Sequence, residues 1–255
     1  MDMPKNAFKA AIKAGQRQLG VWCTIPDSTS VELLAGTGYD WLLLDSEHTP
    51  VSIPGLMPLM QAAAPYPVST ICRPGWNDMI EIKRLLDQGA QTLLIPFVQN
   101  AEEAELAVRH TRYPPHGVRG VGGISRASRY GAVANYTQTA EEEVCLLVQI
   151  ETAEAMERAE EIAAVDGVDG IFIGPSDLAA SMGHADNPMH PEVTSLILDG
   201  IRRIKAAGVA PGILTLDPGF QQEVAGAGAV FIALDLDTTL LRRGAISVRE
   251  RFEAG

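Results

Sequence analysis

The chain has 255 residues, 46% of them apolar, with 20 Lys and Arg against 32 Asp and Glu for a formal net charge of −12. That length allows one large domain or two small ones, and a sizeable core. The acidic balance excludes nucleic acid and an anionic membrane as expected partners, since both need a basic face. A small anionic substrate stays open, because a few local cations and a metal override the global field. No apolar run reaches membrane-spanning length, and the first nine residues carry no apolar signal core, so a cytoplasmic protein is expected. Cys23, Cys72 and Cys145 each fall in an apolar run and read as buried thiols of a reduced compartment.

In chain order, apolar runs that read as strands cover residues 19–24, 41–45, 68–73, 92–97, 145–151, 170–173, 210–214 and 230–235. Helical spacing covers residues 31–35, 53–64, 79–88, 101–110, 153–164 and 193–207, and several of these segments end at a glycine that suits a left-handed C-cap. Strands apolar on both faces and alternating with helices mean a parallel sheet covered on each side. Eight of them in this length predict a (β/α)8 barrel. An open doubly wound sheet is the alternative, because periodicity does not show closure. No linker divides the chain, so residues 1–255 are expected to form one barrel domain. Residues 113–138 break the pattern with Pro114-Pro115, a run of glycines, and Arg119, Arg126 and Arg129 around Ser125 and Ser128. The stretch is too long for a plain connector, and its arginines suit either subunit contacts or a lid over a site. A final helix is expected after Asp237.

In a barrel, the polar residues just past the strands meet at one face. Here they are Asp45-Ser46-Glu47-His48, Arg73-Pro74-Gly75, Gln149-Ile150-Glu151-Thr152, Gly174-Pro175-Ser176-Asp177, Thr215-Leu216-Asp217 and Asp235. A right-handed crossover brings Glu151 and Asp177 to the same edge. Such a pair suits a hard cation that keeps positions open for a substrate's oxygens. Taken singly, each acid could instead cap a helix or sit in its first turn. His48 before Pro50 could be a turn histidine, Arg73 a surface ion pair, and Asp87 a solvated acid near a helix C-terminus. None of the five lysines (Lys5, Lys9, Lys13, Lys83, Lys205) follows a strand, so a Schiff base has no obvious residue to use. Gly120-Val121-Gly122-Gly123 neither follows a clear strand nor opens a helix, and no organic cofactor is expected.

Asp45-Ser-Glu-His48, Arg73-Pro-Gly, Gln149-Ile-Glu151-Thr, Gly174-Pro-Ser-Asp177-Leu-Ala and Ser181-Met-Gly183-His together resemble the HpcH/HpaI aldolase family, over about residues 20–235. Tyr-Pro-Pro…Gly117-Val-Arg-Gly and Ser-Arg126-Ala-Ser-Arg resemble it too. The resemblance implies the (β/α)8 barrel of the phosphoenolpyruvate/pyruvate superfamily, assembled as a homo-hexamer with a C-terminal helix, about 237–255, exchanged between subunits. It implies class II, metal-dependent cleavage of 4-hydroxy-2-oxo carboxylic acids to pyruvate and an aldehyde, and the reverse addition. On this reading Glu151 and Asp177 bind Mg²⁺, Mn²⁺ or Co²⁺. Gln149 and the backbone of Ser176 and Asp177 meet the pyruvyl group, and Gly174, Pro175 and Leu216 also bind substrate. His48 is the acid/base, Arg73 steadies the enolate, Asp45 assists beside it, and Asp87 raises the basicity of the histidine. A related carbon–carbon lyase of the citryl- or malyl-CoA type, or an oxaloacetate decarboxylase, is the next reading. A CoA substrate would want a basic groove, and the strand ends supply little beyond Arg73. A non-catalytic oligomeric ligand-binding protein is the third.

Overall fold

A computed structural model describes residues 1–254. Its elements are α1 (Ala7–Lys13), β1 (Gln18–Cys23), α2 (Ser28–Ala35), β2 (Trp41–Asp45), α3 (Ile53–Ala63), β3 (Ser69–Arg73), α4 (Met79–Asp87), β4 (Thr92–Ile95) and α5 (Ala101–Thr111). There follow α6 (Tyr136–Glu143), β5 (Cys145–Ile150), α7 (Ala153–Glu157), α8 (Ala159–Ala163), β6 (Gly170–Ile173), α9 (Pro175–Ser181), α10 (Pro191–Ala206), β7 (Ala210–Leu214), α11 (Pro218–Ala227), β8 (Phe231–Leu236) and α12 (Asp237–Glu253). The strands are all parallel and close in chain order, with β1 bonded to both β2 and β8. Closure decides for the (β/α)8 barrel over the open sheet.

Each strand is mainly apolar, yet successive residues serve two different cores, because side chains alternate across a strand. Leu42, Leu44, Leu93, Ile95, Leu146, Val148, Ile171 and Ile173 face the surrounding helices. Trp41, Leu43, Ile71, Leu94, Leu147, Phe172 and Phe231 fill the barrel. Phe8 and Ile12 of α1 join the inner set, and the Phe8 ring meets Trp41 and Phe231 edge-on at centroid separations of 6.2 and 5.7 Å. Asn6 caps α1 through Lys9 N–H and also donates to Gln91 O, Thr92 Oγ1 and Glu143 O. The short helix therefore stoppers the N-terminal end of the barrel and leaves the C-terminal end as the open one. The large inner rings fit because their neighbours lack side chains. A Cβ on Gly20 would lie 2.2 Å from the Trp41 indole, and one on Gly212 would lie 2.2 Å from the Phe231 ring.

The helix expected over residues 153–164 is two helices that meet at Arg158. Arg203 of α10 donates to Met156 O and Glu157 O, so a side chain from the next layer takes the carbonyls where the run breaks. The long stretch after α5 is held against the C-terminal end of α4, with Ala127 N–H donating to Asp87 O and Arg126 Nη1 to Gln88 O. That end of α4 precedes the start of β4, at the stoppered face, so the stretch is no lid over the open mouth of its own barrel. The three cysteines are buried and free, and burial pushes their thiols up. Among the described residues no helix is long and apolar enough to cross a membrane. In α12 only Asp237 is buried, while Leu241, Val248 and Phe252 are 66, 58 and 88% exposed. Gly255, the last residue of the expected terminal helix, lies outside the described residues.

The packing of Trp41 on Gly20 sets a test. Gly20→Ala should lower the urea midpoint by the equivalent of ~1–3 kcal/mol, the usual range for overpacking, and a second change, Trp41→Leu, should recover part of it. A Gly20→Ala protein as stable as the parent would show that the indole is free to move.

Candidate active site

β2 and β3 pair in register with Asp45 opposite Arg73, so the last residues of two adjacent strands face each other at the open end. Arg73 Nε and Nη2 donate to Asp45 Oδ1 and Oδ2 at 2.8 and 2.7 Å, a two-pronged contact between side chains that are both buried. Trp22 of β1 closes the pair from one side. Its ring centroid lies 4.7 Å from the Arg73 guanidinium carbon, and its indole N–H donates to Asp45 Oδ2 at 3.4 Å. Glu47 Oε2 lies 2.7 Å from Arg73 Nη1. Burial acts to raise the Asp45 carboxyl, but the bonds and charge of Arg73 outweigh it and hold Asp45 below the usual carboxylate range. Glu47 goes the other way: burial raises it, Asp45 and Asp177 add to the rise, and Arg73 and His48 oppose it. The His48 side chain is 69% exposed, with Nε2 3.8 Å from Glu47 Oε2.

A second group stands on β5 and β6, whose register pairs Ile150 with Ile173. Glu151, the next residue, is 3% exposed. Its Oε1 accepts from Phe97 N–H at 3.0 Å, and its Oε2 accepts from Gln149 Nε2 at 2.5 Å. Phe97 reaches it from the end of β4 through a left-handed backbone, φ 55°. Gly174 must be bare here, since a Cβ would lie 2.6 Å from Glu151 Oε2 and 3.2 Å from Gln149 Nε2. Pro175 opens α9, and Asp177 stands exposed in its first turn. Thr152, not Glu151, caps the following helix, accepting from Ala155 N–H. Capping therefore accounts for one of the two acids at most. Burial pushes the Glu151 carboxyl up to about 7, with Asp177 and Glu47 adding to the rise while the bonds from Gln149 and Phe97 oppose it.

The two groups share a cavity of about 300 Å³ lined by Trp22, Thr24, Asp45, His48, Arg73, Gln149, Phe172, Gly174, Pro175, Ser176, Asp177, Leu214 and Leu236. Thus Asp45, His48, Arg73, Gln149, Gly174, Pro175, Ser176 and Asp177 come together, with Glu151 bonded to Gln149 beside them. Two sequence candidates do not join them in this chain. Leu216 is 41% exposed and is not a lining residue. Asp87 is the last residue of α4, about 13 Å of helix below the open end, where Oδ1 accepts from Arg119 Nη2 at 2.8 Å. Sequence reasoning passed over Trp22, Glu47 and the Phe97 N–H. Glu47 lies inside a motif it had already singled out. None of the five lysines lines the cavity.

The donor set fits a divalent cation. Asp177 and Glu47 add to the negative charge around Glu151, Arg73 and His48 offset Glu47, and buried Gln149 Oε1 lacks a hydrogen-bond partner. Glu151 binds its proton more tightly folded than unfolded, so its contribution to stability is full below about 4.5 and is lost as pH rises through about 7. A cation that takes the proton's place must stabilise more across that window. Added Mn²⁺ should raise the melting temperature of chelator-treated protein more at about pH 8 than at about pH 5, and Glu151→Gln should remove the difference. An increment equal at both pH values, or one that survives in the variant, would place the cation elsewhere.

Comparisons with known proteins place the chain in a family. The family described as HpcH/HpaI aldolase/citrate lyase matches residues 18–244. The chain is 55% identical over 249 residues to a protein of Sagittula stellata named hydroxypyruvate/pyruvate aldolase, covering 98% of each. It is 55% identical over 248 residues to a 4-hydroxy-2-oxo-heptane-1,7-dioate aldolase of Klebsiella pneumoniae, covering 97% of this chain and 94% of that one. A crystal structure of an HpcH/HpaI aldolase/citrate lyase family protein from Burkholderia cenocepacia superposes with a TM-score of 0.95 at 34% identity, over 98% of this chain and 100% of that one. The chain belongs to the HpcH/HpaI aldolase/citrate lyase family.

Proposed function

We infer that the chain is a pyruvate-releasing aldolase that cleaves 4-hydroxy-2-oxo carboxylic acids to pyruvate and an aldehyde and catalyses the reverse addition. The observation that carries this reading is one cavity lined by an arginine fixed on a buried carboxylate and by Asp177, with Glu151 bonded to the lining Gln149 beside it. The names of the two relatives, a hydroxypyruvate/pyruvate aldolase and a 4-hydroxy-2-oxo-heptane-1,7-dioate aldolase, support the substrate class.

Glu151 and Asp177 would hold the cation, with Mg²⁺, Mn²⁺ or Co²⁺ suited to their oxygen donors. When bound, it supplies Lewis-acid polarisation of the 2-oxo carbonyl. Gln149 and the backbone N–H groups of Ser176 and Asp177 hold the pyruvyl carboxylate end, and Phe172, Leu214 and Leu236 give the cavity its apolar wall. Of the five N–H donors on Arg73, two serve Asp45 and one faces Glu47, which leaves donors for the oxygen on which negative charge develops. His48 takes the proton of the 4-hydroxyl as the C3–C4 bond breaks, the aldehyde departs, and the bonding pair passes into the enolate of pyruvate. A proton delivered to C3 then completes pyruvate.

Asp87 acts on His48 only across a subunit boundary, because its own barrel separates the two. We therefore include a homo-oligomer in the proposal, a hexamer in which α12 is exchanged. The apolar residues that α12 leaves exposed support that arrangement. The free buried thiols suit a cytoplasmic setting.

Glu151→Gln and Asp177→Asn should each abolish turnover in a folded protein at ordinary metal concentration, and full activity of either would rule out the site. His48→Ala should slow turnover by ~10²–10⁴-fold. Arg73→Ala should slow it comparably, and Arg73→Lys should rescue little because an ammonium lacks the planar fork. Borohydride added with pyruvate should leave mass and activity unchanged. A reduced pyruvyl adduct on any lysine would overturn the mechanism.

A further inference from the structure

Among the described residues, six buried side-chain atoms have neither a hydrogen-bond nor an ion-pair partner, and they fall in two places. Gln149 Oε1 and Gln99 Nε2 belong to the open end, where Gln99 Oε1 accepts from Thr152 beside Glu151. Gln88 Oε1, Ser125 Oγ, Arg119 Nε and Arg119 Nη1 gather around Asp87 at the other end. Orphaned buried polar atoms are rare in folded proteins and mark functional sites. The first group adjoins the candidate site, where Gln149 lines the cavity. The second has no explanation within one barrel.

Arg119 is the centre of that second group. It is 0% exposed, its guanidinium carbon lies 4.4 Å from the Tyr113 ring centroid and 5.8 Å from that of Tyr136, and its one ionic partner is Asp87. Taking a guanidinium out of water is costly, and here two of its nitrogens gain no acceptor in return. The loop places it firmly, with Val118 N–H donating to Arg109 O and Arg119 N–H to Arg112 O, both at 2.9 Å. The result is a carboxylate with one oxygen engaged and one free. Oδ1 accepts from Arg119, while the space beside Oδ2 is kept open by Gly122, where a Cβ would lie 3.2 Å from that oxygen. The Asp87 side chain is 28% exposed, so the free oxygen belongs to a surface-facing group.

We propose that Arg119 is the positioning residue that aims the free oxygen of Asp87 at the His48 imidazole of a neighbouring copy. The proposal rests on the cross-subunit role of Asp87 given above. Arg119 touches no substrate. It fixes the rotamer of the acid, and the tyrosine pair fixes Arg119. A purely structural role, pinning the loop to α4, would use the same contacts, but it would not act in trans.

Mixed oligomers distinguish the two roles. Arg119→Met, Asp87→Asn and His48→Ala are purified separately, checked for the parent's sedimentation and melting behaviour, and combined in pairs under subunit exchange. Alone, Arg119→Met should reduce kcat by ~10–100-fold, as expected for a partner that orients a working group, with KM for pyruvate unchanged. Combined with Asp87→Asn in one chain, it should cost nothing more than Asp87→Asn alone. Mixing Asp87→Asn with His48→Ala should restore activity, because some sites then draw an intact His48 and an intact Asp87 from different chains. Mixing Arg119→Met with His48→Ala should restore it likewise. Mixing Arg119→Met with Asp87→Asn should not, since no chain then carries both. If the Asp87 and His48 pair complements but Arg119→Met with His48→Ala fails, Arg119 is a loop pin and the assignment is wrong. If Asp87→Asn and His48→Ala fail to complement, the cross-subunit reading falls and this assignment with it. Should Arg119→Met aggregate, Arg119→Lys is read in its place by the same pairings, because the ammonium loses the planar guanidinium set against Tyr113 and Tyr136 while keeping the charge.

Discussion

The buried pair of Arg73 and Asp45 is the constraint on which the site depends. Parallel strands in register put the two residues side by side, and barrel closure puts their ends at the same face as Glu151 and Asp177. Water is largely excluded from both side chains, so each charge is tolerable only because the other is present. Removing one partner of such a pair typically costs ~3–5 kcal/mol, since the other is left buried and unpaired. The arrangement is stiff for that reason. A guanidinium held on two edges and capped by Trp22 has no freedom to follow the substrate, so its remaining donors point at one spot before any ligand arrives.

The two sides of the mouth are electrostatically opposed. On one side a fixed cation offsets a carboxylate. On the other, Glu151 and Asp177 accumulate negative charge with only the Gln149 amide and the Phe97 N–H to oppose it. A 2-oxo acid, anionic at one end and polarisable at its carbonyl, spans that division when a cation supplies the missing charge. Phe172 of β6 and Trp22 of β1, 5.5 Å apart, floor the space between. Below them Trp41, Phe231 and Phe8 close the barrel, so the reacting end is a shallow cup set on a solid core.

Much of this was legible in the chain because parallel strands advertise themselves. All eight fall where apolar runs read as strands, and the chemistry stands at their C-terminal ends or a few residues past them. What the runs could not show was which residue in each faces inward. Inward and outward positions are alike apolar, and only closure separates Leu42 from Leu43. The stopper helix was missed because its buried face is just Phe8 and Ile12, too little for a period to register. Trp22 looked like any core residue of a strand. The Phe97 N–H is a backbone group whose direction depends on a positive φ, which no side-chain pattern encodes. Asp87 was singled out by resemblance, and the structure gives it a place: bonded to a buried arginine at the far end of its own barrel. A pattern read along one chain has no means of expressing a contact between two.

The central claim is that the pyruvyl half of the site loses and regains a proton at C3 under the joint control of Arg73 and a cation held at Glu151 and Asp177. Exchange of the pyruvate methyl protons for deuterium, followed by proton NMR without any aldehyde, tests that directly. The account predicts exchange that requires a divalent metal, stops with EDTA, and is lost in both Glu151→Gln and Arg73→Ala proteins that remain folded. Exchange that continues in EDTA, or at the parental rate in Glu151→Gln, would contradict it.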